Sequence, residues 1–80
     1  MPRLKVMSGR QVRALLEANG FIFARTSGSH MILRRTIENA DGTKSTISIP
    51  VPDHKEVALG TLGNIAERSG LSRELFEVKN

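Results

Sequence analysis

Two histidines, His30 and His54, are the side chains of this sequence best suited to moving a proton near neutral pH. His30 follows a turn signal in Gly28-Ser29-His30, which can expose it at the start of a strand. One chemistry needs little more than that. RNA carries its own nucleophile, the 2′-hydroxyl, so an enzyme need only take that proton, stabilise the phosphate and protonate the leaving oxygen. Arg25, Arg34 and Arg35 fall on the same predicted hairpin and would bring cations to a phosphate held there. The plain alternative is a solvated strand residue without a role, and the residues alone favour it. His54 sits in Pro52-Asp53-His54-Lys55-Glu56, where it offers a second acid/base or a phosphate ligand. Asp53 and Glu56 also have capping-box spacing, however, which favours a helix entry or a structured loop.

Other chemistries find less support. The sequence has no cysteine, which removes disulfides, thiolate nucleophiles and cysteine-based metal sites. The eight acidic residues form no cluster at ligand spacing, and the two histidines lie far apart in sequence, so no metal or other cofactor is expected. No spacing argues for a Ser/His/Asp triad. Gly60-Thr-Leu-Gly63 lacks the length and the lysine of a P-loop, although Gly60 and Thr61, at a helix start, would leave N–H groups free for a phosphate.

These side chains need elements to hold them. Ser8 and Gln11 have the spacing of a capping box, with Met7 and Val12 at the staple positions. Val12, Leu15, Leu16 and Asn19 continue at helical spacing, Arg10, Arg13 and Glu17 face outward, and Gly20 supplies the stop. Three strands follow: Phe21 to Thr26, Ser29 to Ile37, and Ser45 to Val51. Ser27-Gly28 and Asn39-Ala-Asp-Gly42 are their turns. Pro50 and Pro52 mark a sheet edge or a strand end. Asp53 to Leu59 reads as a loop with room for one helical turn. Leu59, Leu62, Ile65, Ala66 and Ser69 form a second amphipathic helix ended by Gly70, and Ser72 opens a short third helix through Leu75, Phe76 and Val78.

The order helix, three-strand meander, helix predicts an α+β fold. In it both helices cover one face of an antiparallel sheet, as in double-stranded-RNA-binding domains. In the second strand, Met31, Leu33, Arg35 and Ile37 make the more apolar set and are assigned to the helices. His30, Ile32 and Arg34 then take the open face; the opposite register would bury His30.

Eighty residues make a single domain over 1–80, burying roughly 60% of the unfolded surface. Hydrophobic residues at 39% and charged ones at 25% are ordinary for a globular chain, which argues against disorder. The net charge of +4 points to a polyanionic partner. With three Phe, no Trp and no Tyr, an aromatic platform for stacked bases is not expected. The basic residues are scattered; Arg25, Arg34, Arg35, Lys44 and Lys55 would gather only through the sheet. No apolar run follows Arg3 and Lys5, and the longest apolar stretch, Phe21 to Ala24, is far short of a membrane span, so a cytoplasmic protein with no membrane contact is expected.

Taken in order, several short pieces resemble one family over nearly the whole chain. They are Ser8-Gly9-Arg10-Gln11, Leu16-Glu17 before Gly20-Phe21, and Gly28-Ser29-His30; then Ile49-Pro50-Val51-Pro52, His54, Gly60-Thr61-Leu62, Ile65 and Ser69-Gly70-Leu71-Ser72. Their order and spacing resemble the HicA-type toxins, small ribosome-independent mRNA interferases of bacterial type II toxin–antitoxin modules. The resemblance implies a fold like that of double-stranded-RNA-binding domains, a catalytic His30 in an endoribonuclease, mRNA as substrate, and a HicB-type antitoxin that masks the site. With it, Arg25, Ser29, Arg34, Arg35, Lys44, His54 and Lys55 are the candidate RNA contacts. The chain departs from the family in carrying Gly63 where a basic residue often follows Gly-Thr-Leu, in a longer turn between the second and third strands, and in a shorter loop from Asp53 to Leu59. A non-catalytic RNA-binding module of the same fold and a docking module for an acidic protein are the competing readings.

Overall fold

A computed structural model describes residues 3–79. Helix α1 runs Gly9–Ala18, strands β1, β2 and β3 run Ile22–Ser27, His30–Glu38 and Lys44–Pro52, and helix α2 runs Leu59–Ser69; a single 3-10 turn follows over Arg73–Phe76. The sheet is antiparallel, in the order β1-β2-β3. The expected α+β arrangement of helix, meander and helix is therefore the observed one.

Helix α1 starts as its residues dictate. The Ser8 hydroxyl accepts from the Gln11 N–H at 3.1 Å, and the Gln11 side chain accepts from the Ser8 N–H at 2.9 Å. The helix ends at Asn19, and Gly20 takes φ +94 to turn the chain into β1. Gly9 is required for a packing reason: a Cβ there would overlap the Pro52 carbonyl, so the start of α1 rests directly on the end of β3.

The core lies between the helices and one sheet face. Val12 and Leu16 of α1 and Leu62, Ile65 and Ala66 of α2 meet Met31, Leu33, Ile49 and Val51 of the sheet, with Phe21, Val57 and Phe76 closing the ends. Leu33 of β2 is completely buried and His30 is exposed, so β2 has the register that its more apolar set implied.

Of the two readings of Asp53 and Glu56, the loop is the one observed: 53–58 is a loop, and α2 begins after Ala58 with no side-chain cap. The Asp53 N–H donates to the Ser29 carbonyl at 2.8 Å and its carboxylate faces Arg10, which holds it away from a helix start. The last helix stops at Phe76 and is not capped by the Ser72 side chain. Val78 instead is exposed, and its N–H donates to the Arg3 carbonyl, where the two ends of the chain run side by side.

Candidate nucleic-acid interface

His30 is the first residue of β2, directly after a two-residue loop of Gly28 and Ser29. Gly28 has φ +59, the left-handed conformation that the first position of a type II′ hairpin turn uses and that glycine adopts without strain. Across the sheet His30 lies opposite Ser27 on one side and Pro52 on the other. The imidazole is exposed at the corner of the sheet, and the Ser29 carbonyl holds the chain after β3 through Asp53.

Residues directly opposite each other share a face. Starting from His30, the open face thus carries the row Ser27, His30, Pro52; the row Arg25, Ile32, Pro50; and the row Ile22, Arg34, Ser48. Arg25 reaches this face through a β-bulge. Phe23 pairs with Leu33 but Arg25 pairs with Ile32, leaving Ala24 as the extra residue. Strict alternation would have put Arg25 beside Phe23, on the helix side. No feature of the sequence announces this bulge, although it is what brings Arg25 to the same face as His30 and Arg34.

Other candidates are placed elsewhere. Arg35 lies opposite Ile47 on the helix side, where its side chain covers Gly20. Lys44 lies opposite Glu38 at the far end of the sheet, eight residues or about 26 Å along the strands from the His30 row. His54 and Lys55 are exposed in the loop after β3, and the His54 carbonyl accepts from the Gly9 N–H at 2.8 Å. The His54 backbone is thus held at the start of α1, next to Asp53, which bonds Ser29.

The nearest concavity, about 370 Å³, is on the helix side. Arg10, Arg13, Glu17, Thr26, Met31 and Asp53 line it, and His30 does not. Its cations are occupied. Arg10 Nε is 3.5 Å from Asp53 and Arg13 Nε 3.4 Å from Glu17, while the Arg13 guanidinium lies 4.1 Å from the centre of the Phe23 ring. Arg25 and Arg34 make no ion pair among the described residues. Arg34 is half-buried, and its Nε is the one buried side-chain nitrogen or oxygen among the described residues without a hydrogen-bond partner. Leaving such a donor unmatched costs about 1–3 kcal/mol. The arrangement therefore gives a proton-transfer group at the corner of the sheet and two unpaired guanidinium groups on the same face. It suits a polyanion carrying a transferable proton.

Among the described residues no group of three His, Asp or Glu stands close enough to hold a metal ion, and no helix is long and apolar enough to cross a membrane. A family model described as the HicA toxin of bacterial toxin–antitoxin matches residues 9–71, well over half of the chain. No curated protein and no solved structure matches it.

Proposed function

The chain belongs to the HicA toxin family of bacterial toxin–antitoxin modules, and from that premise we propose that it is an endoribonuclease that cleaves mRNA at His30. The observation that carries the reading is the shared face of His30, Arg25 and Arg34, with both guanidinium groups unpaired among the described residues. The RNA 2′-hydroxyl supplies the nucleophile. Its oxygen forms a bond to the adjacent phosphorus as the bond to the 5′-oxygen breaks, leaving a 2′,3′-cyclic phosphate and a 5′-hydroxyl. One proton leaves the 2′-oxygen and one reaches the departing oxygen. His30 handles one of these transfers as general base or general acid, and water serves the other. Arg34 and Arg25 neutralise the charge that builds on the phosphate oxygens. Lys55 and His54, in the loop that Asp53 ties to Ser29, add a cation and a second imidazole at the same corner.

A toxin of this kind acts on cytoplasmic mRNA, slows translation under stress and is held in check by a partner antitoxin of HicB type. The antitoxin silences the enzyme by covering the corner that presents His30. Analysis of product ends tests the chemistry. Cleaved RNA should carry cyclic phosphate and 5′-hydroxyl ends with EDTA present, and an all-deoxy substrate should stay intact. Cleavage of the deoxy strand would show that the nucleophile is not the 2′-hydroxyl and would overturn the mechanism.

A further inference from the structure

The open face of the sheet has a second property besides its charge. Over two adjacent rows of β1 and β2, apolar and cationic side chains alternate. Ile22 stands opposite Arg34, and Arg25 stands opposite Ile32, which in turn faces Pro50. Ile22 is 68% exposed, an unusual position for an isoleucine in a strand. Among the described residues, the buried core to which both helices contribute lies on the other face. The open face is not built to pair with another sheet along its edges. The Ala24 bulge interrupts β1, Pro50 and Pro52 interrupt β3, and an Arg68 guanidinium at 2.9 Å occupies the Ser48 carbonyl.

Resting on the ribonuclease reading, we infer that this open face is the track for a single RNA strand, with Arg25 and Arg34 as its phosphate ligands and Ile22 as a base contact. Phosphates and bases alternate along an unpaired strand, and only an unpaired strand can lay a base on an aliphatic side chain. In a duplex the bases are stacked inside, and proteins read its outer shape through phosphates and 2′-hydroxyls. The Ile22, Ile32 and Pro50 positions would gain nothing there. On the helix side, by contrast, Arg10 and Arg13 near the His30 end are paired with Asp53 and Glu17, Arg35 lies farther along beside Gly20, and the first turn of α2 carries no basic residue. Arg34 is half-buried with its Nε shut from solvent, so less freedom is lost when its guanidinium meets a phosphate.

Binding of a labelled 2′-O-methyl oligonucleotide, which cannot be cleaved, tests this apart from catalysis. It is measured as a single strand and as a duplex, at several salt concentrations, with circular dichroism to confirm folding. The single strand should bind more tightly than the duplex. Arg34→Ala and Arg25→Ala should each weaken it roughly tenfold and flatten the dependence of log K on log salt by about 0.7. Ile22→Ser should weaken it about threefold without changing that slope, as expected for an uncharged contact. Arg10→Ala, on the helix side, should bind like the wild type. Preference for the duplex, loss of affinity in Arg10→Ala with none in the three open-face variants, or no binding of either form would overturn the track. Were the open-face variants inert while wild-type protein still cleaved RNA, only the track would fall. Were they to bind as expected while no RNA was cut, only the nuclease reading would fall.

Discussion

The helix side and the open face of the sheet use similar residues for different ends. On the helix side Met31, Leu33, Ile49 and Val51 of the strands are buried, Arg10 and Arg13 are taken up by Asp53 and Glu17, and the Arg13 guanidinium lies over the partly exposed Phe23 ring. On the open face Ile22 is bare, Arg25 and Arg34 make no ion pair among the described residues, and one Arg34 nitrogen is shut from solvent without a partner. The first face carries the core; the second leaves charge and apolar surface to be met by something else. On the proposed function, stability and activity are thereby separated across a sheet only three strands wide, which lets a small domain keep an unsatisfied surface without losing its core.

That separation can be broken in order of expected effect. Leu33→Ala, on the covered face, should cost about 2–5 kcal/mol in urea or thermal unfolding, because a completely buried leucine leaves a cavity. Ile22→Ser, on the open face of the neighbouring strand, should change stability by no more than about 0.5 kcal/mol. Similar losses from both would show that the open face carries structure after all.

The Gly28→Ala variant sharpens the contrast at the boundary. Nothing crowds the position, so the cost is backbone strain at φ +59, about 1–2 kcal/mol. Because the turn sets where His30 begins, RNA cleavage should fall by more than the loss of folded protein accounts for. Unchanged cleavage per folded molecule would mean that the turn does not position the histidine.

Much of this was readable from residue types. The Ser8–Gln11 cap and the more apolar set in β2 each answer to a local rule, and each stands in the structure. What escaped depends on contacts between distant segments. Asp53 and Glu56 match a capping spacing, but Asp53 is committed to Ser29 and Arg10, partners that only the folded chain supplies. Phe21 is buried although it precedes β1, whereas Phe23 inside the strand is partly exposed; apolar composition alone cannot tell them apart. Of the cations grouped on one hairpin, Arg25 reaches the open face only through the bulge, and strand periodicity sends Arg35 to the other side. The position of Lys44 follows from strand length, which takes it to the end of the sheet away from His30.

The smallest effect belongs to the far turn. The Thr43 hydroxyl and amide hydrogen-bond the Asp41 carboxylate and hold its pKa below the usual carboxylate range. A carboxylate depressed in the folded state stabilises above its unfolded pKa and loses that contribution as pH falls through the folded one. The Thr43 amide signal in an NMR titration should therefore stay constant through neutral pH and move only below the usual carboxylate range. It should lose that step in Asp41→Asn, while RNA cleavage, proposed for the opposite end of the sheet, should stay unchanged.

The most direct test of the account is RNA cleavage by purified wild-type and His30→Ala protein, with EDTA present and folding checked by circular dichroism. His30 is exposed and makes no core contact, so its removal should leave the fold intact. Cleavage by the wild type and none by a well-folded His30→Ala protein is the predicted result. Equal cleavage by both would contradict the assignment of His30 and, with it, of the face on which the site is built.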